Sequence, residues 1–532
     1  MIRLAKEQQV VCVIAAITVV YLILATQAFE QPGIYMDAIN PDYLVARMLN
    51  AGTQTTASIL PGNLLWKRWP LMAGGLYHGS IHAYLTLPFY AALGGTVFSL
   101  RLAHLCLGLS VSLCMAFFVW KATHSRLAVA AATLALATDP AFIFTFRTQA
   151  YIATFPLVLI LLGLGLLFLP GDRTRKQMLV VGLCLGAAIW GYFIYSFMIP
   201  GIVLFVVADG RPLRSGISRL LPLLVGIGIG LLPYGIGYAS LFIRVGGLAQ
   251  GLAWLAQAVA AAHVNSNEVY LDRLAFVLRQ VIIAITGTWH WVTFFGVDLE
   301  NVTGQKLKLL GLLLLPFAAL PLALRPGQTS RAFWIIGLPI VSYVLVASLF
   351  GSRLGGHHFC LLLPLLYTLA AISLRLLSDR FVPPKAEFVA FGLPCIAALA
   401  VNLVLFNSFI SRLERLGGAG LYSSGMTDYP VRLRSEGDLT PHVFLDWGGL
   451  FQFIYLTEGQ IPAYDATQLN AVLCRYHGGN VVVLGKDARV RGLQEMQDAG
   501  IAVTGIEQTS GRAPSDFQFV VLKVVPPPSY CR

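Results

Sequence analysis

Residues 10–49 read VVCVIAAITVVYLILATQAFEQPGIYMDAINPDYLVARML. The first part, residues 10–28, is an unbroken apolar run close to the about 20 residues that cross a bilayer. No small-x-small cleavage site follows it, so it reads as a retained span and not as a removed leader. The second part leaves that span and soon carries Asp37 and Asp42 beside Tyr35, Tyr43 and Arg47. A carboxylate this near a membrane is costly unless it is solvated or used.

The rest of the chain repeats the first pattern. Of its 532 residues, 57% are hydrophobic and 12% charged, against about 25% charged in soluble domains. This excludes a disordered chain, a coiled coil and an ordinary soluble enzyme. Apolar runs predict 11 spans, near 10–28, 98–120, 127–146, 151–169, 178–193, 196–208, 217–240, 307–324, 332–350, 358–377 and 386–410. The pair within 178–208 is short for two crossings.

Charge divides the chain in two. Residues 411–532 hold 11 Lys/Arg and 12 Asp/Glu, whereas residues 1–410 hold 26 and 13. Short loops near residues 3–6, 121–126, 173–176, 211–219, 325–331 and 375–385 carry 15 of those basic residues. They fall on one side, which the positive-inside rule makes cytoplasmic. The basic excess is therefore topogenic, and nucleic acid is not expected as a partner. The cytoplasmic membrane and its lipids are the expected setting. Long segments 29–97 and 241–306 and the tail 411–532 then lie on the outer, extracytoplasmic side.

The tail alternates strand-like runs (His442–Trp447, Asn480–Gly485, Ile501–Ile506, Phe517–Val525) with a helix over Arg491–Ala499. This predicts a small α/β domain on a parallel or mixed sheet. Six cysteines lie in or near spans as small apolar fillers. Cys474 and Cys531 share the tail, where a disulfide and two free thiols both remain open. There is no GxGxxG in the tail, and no CxxC or HExxH anywhere. No metal ligand set and no cofactor are expected, with a divalent metal left open.

The candidate site residues are the ionisable and aromatic groups that break the pattern on the outer side. Asp42 precedes helical spacing and suits a helix cap; Asp37 has no such local task. Tyr77, His78 and His82 cluster before the second span. Arg147 sits in a tight apolar hairpin, to be partnered by Asp139 or by a bound phosphate. Arg353, His357 and His358 crowd another turn, where Arg353 snorkels to headgroups or meets an anion.

Together these features resemble the GT-C membrane glycosyltransferases. The features are the Asp after the first span, the Tyr-x-Gly…Tyr-Leu…Pro…Gly…Arg-Leu run into the second, and the basic turn ahead of a Pro-containing span. The branch they are most similar to is bacterial family 39, which includes protein O-mannosyltransferases and lipid A aminoarabinose transferases. The resemblance covers about residues 1–410. It implies a polyprenyl-phosphate sugar donor, a lipid, glycan or protein acceptor, and Asp37 as base. Relatives often carry Asp-Glu where this chain has Asp37-Ala38, which makes Asp42 the candidate second carboxylate. They often carry Lys-Pro-Pro where it has His78-Gly79-Ser80. Tyr77, His78, His82, Arg147, Arg353, His357 and His358 are then the candidate donor-phosphate contacts.

A phosphate leaving group needs charge neutralisation more than an acid, so one carboxylate base suffices and direct attack inverts the anomeric centre. A polymerase or ligase of lipid-linked glycans is an alternative reading. A transporter or flippase is a further one, against which stand the absence of an internal repeat and the placement of ionisable groups at span ends.

Overall fold

The computed structural model describes residues 5–50, 55–56, 69–73, 78–169, 174–209, 213–261, 269–296, 303–446, 448–485, 487–509 and 518–531. Seven helices among them are long and apolar enough to cross a membrane, or up to nine if each of two bent pairs is one span. The protein is a multi-pass membrane protein. The bent pairs are Arg126–Ala137 with Pro140–Thr148, and Ile217–Gly230 with Leu232–Ile243. In each pair a proline near the start of the second helix breaks the backbone ladder. The two expected spans that fall short are Arg175–Gly191 and the stretch Phe193–Ala208, which starts as a 3₁₀ turn.

Side chains near the basic loops gather at one end of the bundle. Arg126 bonds Gln9 near the start of helix Lys6–Ala25. Gln328 donates to the Lys121 carbonyl at 2.8 Å. Arg331 reaches Asp209 and the carbonyls of Leu167 and Phe168. Arg375 pairs with Glu387 at 2.6 Å. These contacts place one set of helix ends side by side, as the charge pattern requires.

Two helices approach through glycine. Gly182 and Gly186 of Arg175–Gly191 face Gly226 and Gly230 of Leu213–Gly230. A Cβ on Gly182 would run into the Leu223 carbonyl, one on Gly186 into the Ile227 carbonyl, and one on Gly226 into the Leu179 carbonyl. Small residues four apart on both helices allow this contact, the usual basis of close packing in lipid.

The tail builds five strands of a six-stranded mixed sheet of order β1-β3-β2-β4-β6-β5: β1 Thr55–Thr56, β2 His442–Phe444, β3 Ala463–Asp465, β4 Gly479–Gly485, β5 Ala502–Thr509 and β6 Gln518–Val525. β1 to β4 pair in parallel, and β6 is antiparallel to β4 and β5. The edge strand β1 comes from the long segment after the first span, so the sheet is not built from residues 411–532 alone. Cys474 and Cys531 form a disulfide, with Cα atoms 5.4 Å apart. Tyr422, Phe451 and Tyr455 belong to the same apolar core as the membrane helices. Tyr43 stacks on Phe451 at 3.9 Å, and Glu458 accepts from the Gly95 amide at 2.8 Å. The sheet is thus bolted onto the bundle.

Replacing Gly186 by Leu is expected to destabilise the helix pair by about 1–3 kcal/mol, the usual cost of overpacking. Gly228, whose Cβ position meets nothing within 4 Å, is the control. Thermal unfolding in detergent should show a lowered midpoint for Gly186→Leu and an unchanged one for Gly228→Leu.

Candidate functional site

The site lies at the other end of the first span. Helix Lys6–Ala25 ends in a turn whose carbonyls are met by two buried guanidiniums. Arg147 donates to Ala25, Gln27, Ala28 and Gln31. Arg101 donates to Phe29 and Pro32. The next residues run beneath the start of the tail: Gly33 donates to the Tyr422 carbonyl at 2.9 Å and Ile34 to Thr427 at 3.0 Å. A Cβ at Gly33 would strike the Ser423 carbonyl. This clamp sets where Asp37 stands, on the short helix Met36–Ile39.

Asp37 is half-buried and has no hydrogen-bond or ion-pair partner among the described residues. Burial pushes its carboxyl up to about 6. Its electrostatic neighbour Tyr422 packs on Tyr35, with ring centres 5.6 Å apart.

His78, His357 and His358, from two distant segments, come together around Tyr192. His78 stacks on the Tyr192 ring at 4.6 Å, and the two residues form a backbone bridge. His358 Nε2 lies 3.0 Å from the Tyr192 hydroxyl. His357 packs on His358 and on Trp289. Gly79 makes the approach of His78 possible, since a Cβ there would collide with the Trp190 backbone and indole. Burial, and then the neighbouring His358, hold the His78 imidazole well below its ordinary range. Burial and then Lys308 likewise press His290 down to about 3.

Helix Thr288–Phe295 joins the two groups. Its Trp289 meets His357 and its Phe294 meets Tyr422, with ring centres 5.5 Å apart. Five residues of helix span about 7.5 Å, which separates the ring that packs on Tyr422 from the indole that packs on His357.

The remaining candidates lie elsewhere. Asp42 does not cap a helix: Tyr43 holds the cap position of Leu44–Leu49, with no side-chain bond. Its carboxylate instead faces His82 Nδ1 and His104 Nε2, each at 2.8 Å, with Thr86 donating at 3.0 Å. His82 therefore belongs to a buried cluster apart from His78. Arg147 is not paired with Asp139, because the carbonyls at the end of the first span claim it. Asp139 caps Pro140–Thr148 and takes Lys308 at 2.5 Å and Tyr367 at 2.9 Å. Arg353 is exposed and makes no hydrogen bond or ion pair among the described residues. Tyr77 lies outside the described residues.

Tyr192, Tyr422 and His104 were missed as site residues. The signal for His104 was an ionisable residue within a span, which is costly without a use. Tyr192 sits at the break between the two short spans.

Taken as a whole, the bundle, the long loops packed over one end and the mixed sheet docked on them make a GT-C membrane fold. The structure of ArnT from Cupriavidus metallidurans in the apo state matches 97% of this chain and 98% of its own at a TM-score of 0.59 and 14% identity. The same protein bound to undecaprenyl phosphate matches over the same shares at 0.51 and 14%. No protein-family model matches the sequence, and no curated protein does either.

Arg147→Met should strand four carbonyls and lower stability by at least about 2 kcal/mol, measured as the unfolding midpoint in detergent. A variant that kept its midpoint would show that Arg147 does not hold the turn.

Proposed function

We propose that the protein is a glycosyltransferase that moves a sugar from a polyprenyl-phosphate donor to an acceptor hydroxyl on the outer face of the cytoplasmic membrane. The observation that carries this reading is Asp37. It is an unpaired, half-buried carboxylate with a raised pKa, on the first loop of a GT-C fold, linked through Tyr422 and helix Thr288–Phe295 to the three histidines. A carboxylate without an internal partner is free to take a proton from a substrate. The full-length likeness in fold to a protein crystallised with undecaprenyl phosphate supports a lipid-phosphate donor.

In this mechanism the acceptor oxygen attacks the anomeric carbon while the bond from that carbon to the phosphate oxygen breaks. The acceptor proton passes to Asp37, and polyprenyl phosphate leaves with the bonding pair. No acid is needed for such a leaving group, unlike the two-carboxylate pattern of glycosidases. His78 and His357 donate N–H groups to the phosphate, while His358, whose Nδ1–H meets the Gly355 carbonyl, accepts from the Tyr192 hydroxyl and orients the ring on which His78 stacks. They act as neutral imidazoles, the form that burial favours, and their hydrogen bonds offset the charge of the developing phosphate dianion. Arg353 supplies a permanent positive charge at the rim. Direct displacement inverts the anomeric centre. The acceptor is a lipid, a glycan or a protein.

Asp37→Asn should abolish release of polyprenyl phosphate from a polyprenyl-phosphate sugar while the protein remains folded. Because the raised pKa makes ionised Asp37 a cost to the native state above about pH 6, its unfolding midpoint at pH 7 should hold or rise. Near-normal turnover would overturn the role. In the wild type, kcat/KM should fall as pH drops through about 6, where the base becomes protonated. A flat profile between pH 5 and 8, taken as roughly the window for such a group, would contradict the assignment.

A further inference from the structure

We propose that Asp42, His82 and His104 bind a divalent metal ion of the zinc class, which pins the first loop to the two helices that follow it. The three residues come from the turn after Pro41, the first turn of helix Ile81–Leu93 and the interior of span Val97–Thr123. None is more than 2% exposed. Their candidate ligand atoms all lie within 4.8 Å of one another. One ion can reach all three at the about 2.0–2.2 Å that zinc uses, after small side-chain shifts.

Proton bookkeeping strengthens the geometry. His104 Nδ1 lies 3.0 Å from the Phe146 carbonyl, which can only accept, so Nδ1 carries the hydrogen. The Thr154 hydroxyl gives its one hydrogen to the Ala150 carbonyl at 2.5 Å. Its oxygen therefore accepts from His82 Nε2 at 3.1 Å, and that nitrogen carries the hydrogen. A neutral imidazole has one N–H. Both inward nitrogens thus present bare lone pairs to the oxygens of Asp42 at 2.8 Å.

Lone pair facing lone pair is repulsive. Protons alone relieve it by charging His104 against Asp42 and, at His82, by a second charge or by turning the Thr154 hydroxyl away from the Ala150 carbonyl. A cation among the three groups removes the repulsion with both rings neutral and the Thr154 bond kept. An outer nitrogen tied to a carbonyl or hydroxyl is also how metal-bound histidines are oriented. With no thiol in the set, the nitrogen and oxygen donors suit zinc. Thr86, donating to Asp42 at 3.0 Å, stands beside the cluster. The ligands are 22 to 62 positions apart in the chain, so the spacing motifs that reveal zinc sites in sequence do not apply.

The test uses full-length protein purified in detergent without chelator and without a histidine tag. After incubation with equimolar zinc and desalting, mass spectrometry of metal content should find one zinc per chain. Asp42→Asn and His104→Gln should lose it, and His357→Ala, in the separate histidine cluster, should keep it. Wild-type protein free of zinc, zinc persisting in His104→Gln, or zinc lost only in His357→Ala would each overturn the site. Should the buried variants fail to fold, X-ray absorption of cobalt-loaded wild type decides. Two imidazoles with oxygen and no sulfur support the site; sulfur, or fewer than two imidazoles, rejects it.

Discussion

The carbonyls that a helix leaves open at its C-terminus must find donors. In this protein they belong to the half-buried turn of residues 25–32, where the first span ends, and six of its carbonyls are met by Arg101 and Arg147. Both guanidiniums are nearly inaccessible, at 2% and 4% exposure. They also sit against the negative end of the first span's helix dipole, which offsets part of the cost of burying them. The position of Asp37 follows from this clamp, because only a few residues separate it from the turn. The two arginines thus act on the site through the backbone and do not touch it.

The tail completes what the turn begins. Gly33 and Ile34 hydrogen-bond to Tyr422 and Thr427. Ala419 donates to the Phe294 carbonyl at 2.7 Å, tying the same segment to the helix whose Trp289 packs on His357. The cover is aromatic, with Tyr35, Tyr422 and Phe294 in sequence. It raises the basicity of Asp37 by excluding water, and burial does the same work on His78 in the opposite sense. Two aromatic settings thus raise the carboxyl and lower the imidazole, Tyr35 and Tyr422 beside Asp37 and Tyr151 and Tyr192 around His78.

Much of this was legible in the sequence, for physical reasons that differ from residue to residue. The spans show because lipid demands long apolar runs, and the tail strands because period and turn residues mark them. Asp37, His78, His357 and His358 stood out as polar groups at span ends, and the last three do converge. Arg147 was misread because its partners are backbone carbonyls, which no side-chain pattern announces. The Asp139 pair went to Lys308, a residue far along the chain. The cluster of Asp42, His82 and His104 stayed hidden for the same reason: each member looked like a local feature until folding joined them. The two-residue strand β1 was invisible because pairing alone defines it.

In the proposed mechanism one carboxylate, acting as a base, directs a single displacement at the anomeric carbon. The stereochemistry of the product tests this most directly. With a polyprenyl-phosphate sugar of known configuration, nuclear magnetic resonance of the first-formed glycoside should show the opposite anomer. Retention would require a covalent intermediate on a second carboxylate and would contradict the account.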